Sequence, residues 1–200
     1  MIALIDYGAG NLASVRKALA AVGADVYSPQ SPVDLDTADG VIVPGVGHFS
    51  ATAILHNGWH QAIRSRVAAG VPLLGICLGM QWLFEGSAEA PDVPGLGVIR
   101  GQCERLAAPR PLKVPHVGWN TLAIARPSLL LHEVADHSYV YFTHAFAAPV
   151  TAECVATSVH GETFAAVVER DTVFGAQFHP EKSSDAGLRL LGNFVQRVNG

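Results

Sequence analysis

The fold is decided by the stretch Val71-Pro72-Leu73-Leu74-Gly75-Ile76-Cys77-Leu78-Gly79-Met80-Gln81. The uncharged apolar run over residues 71–76 predicts a buried strand, and residues 78–84 predict the start of a helix. Glycines two positions before and after Cys77 permit a tight turn and close packing around it. Cys77 is therefore predicted to stand on a strand-to-helix turn, in the layout of a nucleophile elbow.

On the N-terminal side of this stretch, apolar runs alternate with helical patterns. Strands are predicted over residues 2–7, 24–27 and 40–43. One helix is predicted from Leu12 to the Gly23 stop, and another within residues 51–69 with a break at Asn57-Gly58. Strands that alternate with helices imply a parallel sheet with right-handed crossovers.

The C-terminal half has a different pattern. Short β-like runs at residues 98–99, 114–122, 139–146, 154–159, 163–169 and 173–178 predict a mixed sheet with antiparallel pieces. A closing helix is predicted after Ser183-Ser184-Asp185, which offers N-cap candidates. With no repeat or linker, residues 1–200 read as one domain. The predicted fold class is α/β: a central, mostly parallel mixed sheet flanked by helices, with antiparallel additions in the C-terminal half.

Composition restricts the class of function. Half of the 200 residues are hydrophobic and 15% are charged, which is typical of a globular domain. The net charge of -4, with no cluster of Lys or Arg, argues against a nucleic-acid surface. Three cysteines are too few for a disulfide framework and fit a reducing cytoplasm. No signal peptide is predicted, since residues 1–6 have no basic region and end at an acid, Asp6. No membrane span is predicted, since Pro44 and polar residues interrupt the uncharged stretch over residues 40–63.

A candidate base and its orienter follow in Phe178-His179-Pro180-Glu181. Pro180 biases His179 towards extended backbone, and residues two apart in an extended segment face the same side. Glu181 could then hold one tautomer of His179 and leave the other ring nitrogen for the Cys77 thiol. A buried core cysteine and a solvent-facing His-Glu pair are the plain alternatives. Together, however, the three residues predict acyl transfer or amide hydrolysis by a thiol. Cys103 and Cys154 lack such settings and read as structural.

An oxyanion site is predicted in Pro44-Gly45-Val46-Gly47, which follows the strand next to the one that carries Cys77. Backbone N–H groups of Val46 or Gly47, together with that of Leu78, could stabilise a tetrahedral oxyanion. The plain alternative is an ordinary turn that closes a strand.

No cofactor or metal is predicted. Gly8-Ala9-Gly10-Asn11 lacks the third glycine of a dinucleotide fingerprint. His56 and His60 have metal-ligand spacing, but Asn57-Gly58 between them weakens the helix that such a site needs.

The runs at residues 75–81 and 178–181 resemble those of class I (triad) glutamine amidotransferases, and the resemblance extends over nearly the whole chain. More narrowly, the motifs at residues 6–11, 44–49, 115–120 and 179–183 resemble the family of glutaminase subunits of imidazole glycerol phosphate synthases. These subunits belong to histidine biosynthesis.

The resemblance implies roles for individual residues. Cys77 would attack the side-chain amide of glutamine, His179 would pass a proton to the departing ammonia, and Glu181 would orient His179. Water would then hydrolyse the γ-glutamyl thioester to glutamate. The residues implied in substrate binding are Gln81, Glu89, Ala145 and Phe146, the last two through backbone only because Ala145 departs from the more usual polar residue.

The resemblance also implies a partner, a (β/α)₈-barrel cyclase subunit that receives the ammonia in a heterodimer and forms imidazole glycerol phosphate and an aminoimidazole carboxamide ribotide. Tyr141 and Lys182 match positions near that interface, and Trp119 and Asn120 are expected beside it. Low glutaminase activity is hypothesised for the chain alone, rising with the loaded cyclase, since Gly45 and Gly47 make a peptide rotation in the oxyanion loop inexpensive.

Three alternatives remain open from the sequence. One is the glutaminase of another class I amidotransferase, such as that of pyridoxal phosphate synthesis. Another is a non-catalytic regulatory scaffold of the same fold, against which the presence of all three triad residues argues. The third is a thiol hydrolase of small esters, which the His-Pro-Glu pairing fits less well.

Overall fold

The computed structural model describes residues 1–107 and 109–200. The strands are β1 (Ile2–Leu4), β2 (Val26–Tyr27), β3 (Gly40–Val43), β4 (Leu73–Ile76), β5 (Gly86–Ser87), β6 (Gln102–Arg105), β7 (His116–Thr121), β8 (Ala123–Ile124), β9 (Tyr139–His144), β10 (Phe146–Ala147), β11 (Cys154–His160), β12 (Glu162–Arg170) and β13 (Val173–Ala176). The helices are α1 (Leu12–Ala21), α2 (Trp59–Ala68), α3 (Leu78–Leu83) and α4 (Ser184–Asn199), with 3₁₀ helices at Pro32–Thr37, Phe49–His56 and Pro180–Lys182.

The described residues form a central eight-stranded sheet in the order β2-β1-β3-β4-β13-β12-β11-β8. The first five strands in this order are parallel, and β12, β11 and β8 extend the sheet antiparallel. This arrangement confirms the predicted fold class. A three-stranded sheet (β10-β6-β5) and a two-stranded ribbon (β7-β9) complete the β structure of the described residues.

The sheet has a hydrophobic core on each face because the buried strands send alternate side chains to opposite sides. One core, against α1 and α4, includes Leu4, Leu19, Ile42, Leu74 and Phe194. The other, against α2, α3 and the 3₁₀ helix Phe49–His56, includes Val41, Val43, Leu73, Ile63 and Trp82. Strand β4 contributes buried side chains to both cores, and this packing holds the turn that follows β4 in place.

The parallel strands β3, β4 and β13 end at the same edge of the sheet. Val43 is aligned with Gly75, and Ala176 with Ile76. The loop after β3, the residue Cys77 and the segment after β13 therefore meet beyond this edge, where ligands bind in open α/β sheets.

Some elements differ from those predicted. The helix break at Asn57-Gly58 is confirmed, since a 3₁₀ helix ends at His56 and α2 begins after Gly58, whose φ is +89°. The strand predicted at residues 98–99 is wrong, because the N–H groups of Val98 and Ile99 both donate to the Leu83 carbonyl. The short strands β5, β6 and β8 were not predicted. Within the described residues, no helix is long and apolar enough to cross a membrane.

Candidate active site

Cys77 stands on the turn between β4 and α3 with φ of +53° and ψ of -107°. A non-glycine residue rarely adopts positive φ, and such strain is concentrated at functional sites. The surrounding hydrogen bonds hold it: the Cys77 N–H donates to the Ala176 carbonyl at 2.7 Å, and its carbonyl accepts from Gln81 N–H at 3.1 Å. The predicted strand-to-helix turn is thus confirmed.

Glycines beside Cys77 are required by close packing. A Cβ on Gly79 would overlap the Val43 carbonyl oxygen, and one on Gly75 would lie 2.5 Å from the Gly79 carbonyl oxygen. Helix α3 can therefore approach β3 and β4 only because both positions lack side chains. This close packing places the N-terminal end of α3 at the edge of the sheet where β3, β4 and β13 end.

His179 and Glu181 form a buried pair after β13. Nδ1 of His179 and Oε1 of Glu181 are 2.8 Å apart, and the two side chains are only 3% and 2% exposed. The prediction that both lie on an extended segment is wrong, because Pro180–Lys182 is a 3₁₀ turn and only His179 is extended. The turn nevertheless brings the carboxylate to the imidazole. Nδ1 donates to the carboxylate, so Nε2 is the nitrogen left for chemistry.

The environment of His179 favours its protonated form. Burial alone would lower its pKa, but the Cys77 thiol and the Glu181 carboxylate outweigh burial and raise the pKa to about 10. Nε2 has no hydrogen-bond partner among the described residues. Catalytic hydrogen bonds of free enzymes are often formed only in the substrate complex.

The Cys77 thiol makes two long polar contacts. Its Sγ is 3.9 Å from the Thr143 carbonyl oxygen and 3.7 Å from Nε2 of Gln177, which donates to it. Gln177 is fully buried and was missed from the sequence, since nothing local to it signals a role. It links the nucleophile to β13 through a side-chain amide.

The predicted oxyanion loop lies beside Cys77 but is not open to a ligand. The N–H of Leu78 donates to the Gly45 carbonyl at 3.3 Å. Gly47 has a φ of +109°, a conformation that side-chain-bearing residues rarely adopt. Of the N–H groups predicted to stabilise an oxyanion, that of Leu78 is therefore occupied by the loop itself.

A small cavity joins the predicted substrate residues to the nucleophile. Its volume is about 40 Å³, and it is lined by Gly47, Cys77, Leu78, Gln81, Glu89, Thr143, His144, Ala145 and Phe146. A space of this size holds a few water molecules, so a glutamine molecule requires the cavity to open. A larger groove of about 620 Å³, which Ala21, Asp185 and Gly192 help to line, contains none of the predicted site residues.

Gln81 and Glu89 both hold backbone around this cavity. Nε2 of Gln81 donates to the Phe146 carbonyl at 2.7 Å and to Oε1 of Gln177 at 3.2 Å. Oε2 of Glu89 accepts from the Phe49 N–H at 2.7 Å. The structure therefore brings all four predicted substrate residues to one cavity.

A chain of neutral histidines was missed from the sequence. Nδ1 of His144 lies 3.0 Å from the Phe146 carbonyl and must donate to it, so Nε2 accepts from Nδ1 of His116 at 3.2 Å. Nε2 of His116 then accepts from Asn120 at 3.4 Å. Burial lowers the pKa of His144 to about 3 and that of His116 to about 4. His144 and Gln81 both donate to the Phe146 carbonyl oxygen, so both of its acceptor positions are occupied.

Three of the four predicted interface residues form one cluster. The rings of Trp119 and Tyr141 lie edge to face with centroids 5.9 Å apart, and Nζ of Lys182 is 5.6 Å from the Tyr141 centroid. Trp119 is 52% exposed. Asn120 is separate, because its side chain donates to the Val159 carbonyl at 2.8 Å on the other side of the ribbon.

The remaining cysteines are distinct from this site. Cys103 and Cys154 are buried, and burial raises the pKa of each thiol. Neither lines the cavity at Cys77.

Residues 3–198 match the family model of glutamine amidotransferase class-I, and the chain belongs to this family. A solved glutamine amidotransferase superposes with a TM-score of 0.78 over 100% of both chains, at 22% identity, which supports the fold.

Relatives with higher sequence identity share one more specific name. The chain is 47% identical to "Imidazole glycerol phosphate synthase subunit HisH" of Desulfitobacterium hafniense strain Y51, over 100% of this chain and 95% of the relative. It is 44% identical to the protein of that name in Deinococcus radiodurans, over 98% and 94% of the two chains. The corresponding identity for Methanothermobacter thermautotrophicus is 43%, over 99% of each.

Proposed function

We propose that this chain is the glutaminase of an imidazole glycerol phosphate synthase, which hydrolyses glutamine to glutamate and supplies the ammonia for histidine biosynthesis. Its likeness to the HisH subunits, at 42–47% identity over 98–100% of the chain, supports the assignment. The observation that carries the chemistry is the buried His179–Glu181 pair, whose free Nε2 is left beside a strained cysteine.

In the proposed reaction the Cys77 thiolate attacks the side-chain carbonyl carbon of glutamine. The C–N bond breaks as Nε2 of protonated His179 gives its proton to the leaving nitrogen, which departs as ammonia and leaves a γ-glutamyl thioester. Neutral His179 then takes a proton from water, the resulting hydroxide attacks the thioester, and glutamate is released. Glu181 stabilises the imidazolium form throughout.

The oxyanion of both steps needs donors that the present arrangement withholds. Rotation of the peptide between Gly45 and Val46 would free the Leu78 N–H from the Gly45 carbonyl and turn the Val46 N–H towards Cys77. The small volume of the cavity supports the same reading, that the resting chain is closed to glutamine. We therefore expect low activity of the chain alone, rising when the loaded partner favours both changes.

The proposed partner is the (β/α)₈-barrel cyclase subunit, which would receive ammonia directly. The surface cluster of Trp119, Tyr141 and Lys182 is the proposed contact, since Trp and Tyr are enriched among the residues that carry most of the binding energy of interfaces. Tyr141 is also bonded to the base, because its carbonyl accepts the His179 N–H at 2.9 Å. The three cysteines are free and buried, which fits a reducing compartment, so the reaction is assigned to the cytoplasm.

The test is a glutaminase assay of the purified chain, alone and with the cyclase subunit and imidazole glycerol phosphate. Ammonia release should rise with the loaded partner and disappear in Cys77→Ala. A glutamine analogue that alkylates the nucleophile should label Cys77, and Cys103→Ala is the matched control that keeps both labelling and turnover. Labelling of Cys103 or Cys154 instead, or equal turnover with and without the partner, would contradict the proposal. Complementation of a histidine auxotroph separates this function from that of other glutaminases.

A further inference from the structure

Tyr7 carries a buried hydroxyl that nothing in the proposed reaction yet uses. The side chain is 8% exposed, and Oη has no hydrogen-bond partner among the described residues. Unpaired buried polar atoms are rare in native proteins because each forfeits its hydrogen bonds to water. Such a group calls for an explanation in terms of function.

The hydroxyl lies against the oxyanion loop. A Cβ on Gly45 would overlap Oη of Tyr7, so the oxygen packs directly on the Gly45 backbone. The carbonyl of the same Gly45 accepts the Leu78 N–H. Burial, with a smaller contribution from the nearby Cys77, raises the pKa of Tyr7 far above its usual range, so the hydroxyl stays a protonated donor at neutral pH.

Rotation of the Gly45–Val46 peptide creates a need for a donor at this place. The Gly45 carbonyl leaves the Leu78 N–H and turns into a buried region, where a carbonyl without a donor is costly. Oη of Tyr7 is a donor without an acceptor in the resting loop. The rotation therefore offers each group the partner that it lacks.

We propose that the Tyr7 hydroxyl donates to the rotated Gly45 carbonyl and so stabilises the loop conformation in which Val46 and Leu78 present their N–H groups to the substrate. Tyr7 is thus a positioning residue, which acts on the reaction through the loop. The inference rests on the proposed glutaminase function and adds to it the group that selects the active loop conformation.

Removal of the Tyr7 hydroxyl should therefore affect stability and turnover in opposite directions. In the resting chain the hydroxyl makes no hydrogen bond to any residue that the structure describes, so its removal leaves stability unchanged or increases it. In the active loop it makes one, so its removal lowers the active population. A hydroxyl with a merely structural role would behave in the reverse way.

The test is Tyr7→Phe in complex with the cyclase subunit and imidazole glycerol phosphate, with glutaminase kinetics and urea unfolding measured together. We expect kcat to fall about three- to tenfold, the effect of one hydrogen bond on the loop equilibrium, with KM for glutamine unchanged and stability not reduced. Tyr27→Phe is the matched control. Its hydroxyl donates to the Asp34 carbonyl at 2.6 Å, so the control should lose stability and keep kcat.

Alkylation of Cys77 by iodoacetamide separates an effect on the loop from one on the thiol. The alkylation rate, followed against pH, should be the same in Tyr7→Phe and wild type. Equal kcat values, or a fall in kcat that the alkylation rate parallels, would overturn the inference while leaving the glutaminase function intact. A wild-type complex that releases no ammonia from glutamine would instead refute the proposed function, and the inference with it.

Discussion

Replacement of Glu181 by glutamine removes the negative charge beside His179 and keeps the size of the side chain. In the wild type, Oε1 of Glu181 accepts from Nδ1 of His179 at 2.8 Å, and both side chains are almost fully buried. Burial alone would lower the pKa of His179, but the Cys77 thiol and this carboxylate raise it to about 10, whereas a histidine of the unfolded chain titrates near 6.5. The variant therefore tests how strongly the fold favours the imidazolium form.

The sign of the pH dependence follows from proton counting. A raised pKa makes the folded wild type bind more protons than the unfolded chain between about pH 6.5 and pH 10, so this contribution to stability is full below pH 6.5 and is lost towards pH 10. Glu181→Gln should cost about 2–3 kcal/mol near pH 6.5, the value of a charge-assisted hydrogen bond, and under about 1 kcal/mol above pH 10. For a chain of this size the larger cost lowers Tm by about 4–12 °C.

The assay is urea unfolding of the chain without its partner, followed by tryptophan fluorescence from pH 6 to pH 10.5. The difference between the two chains cancels the titration of all groups that do not interact with this pair. Asp34→Asn is the control, because the Asp34 carboxylate accepts from the backbone N–H groups of Gln30 and Ser31, which do not titrate, so its effect should be constant over this range. A Glu181→Gln cost that is independent of pH would refute the reasoning, since Glu181 would then not hold an extra proton on His179.

Further outcomes are expected at other positions. Gly79→Ala should destabilise the fold by at least ~3 kcal/mol, because the new Cβ overlaps the Val43 carbonyl; a soluble variant with wild-type unfolding in urea would contradict this. Gly192→Ala should stabilise helix α4 by ~0.5–1 kcal/mol in the same measurement, since its Cβ meets only a Val22 methyl at 4.0 Å. His144 and His116 stay neutral in the fold, with pKa values of about 3 and about 4, so stability should fall as the pH drops below 6.5 and unfolded histidines gain protons. His144→Leu should flatten that fall between pH 4.5 and pH 6.5, and an unchanged slope would count against burial as its cause.

Much of the fold was predictable because its signals are local. The apolar run before Cys77 and the glycines around it determine a strand, a turn and a helix within a dozen residues. The strand predicted at residues 98–99 failed because both N–H groups there bond to the Leu83 carbonyl, a partner that no local pattern reveals. Strands β5 and β8 have only two residues each, too few for any periodicity.

The candidate site likewise contains some residues that the sequence predicted and others that it did not. Cys77, His179 and Glu181 were found from residue type and spacing, and the substrate residues from resemblance; their roles stay predictions. His144, His116, Gln177 and Tyr7 were missed, because each is defined by partners far away along the chain.

The sequence by itself determined an activated-thiol chemistry on a strand-to-helix turn, since glycine freedom, apolar periodicity and a carboxylate two residues from a histidine are short-range properties. Only the tertiary structure decided that Glu181 reaches His179 through a 3₁₀ turn, and that the Leu78 N–H is occupied by the Gly45 carbonyl. Only the tertiary structure, too, showed that the Tyr7 hydroxyl has no hydrogen-bond partner within residues 1–107 and 109–200. The physical reason is that residue patterns encode backbone conformation, whereas the pairing of a particular donor with a particular acceptor depends on how strands from distant segments align.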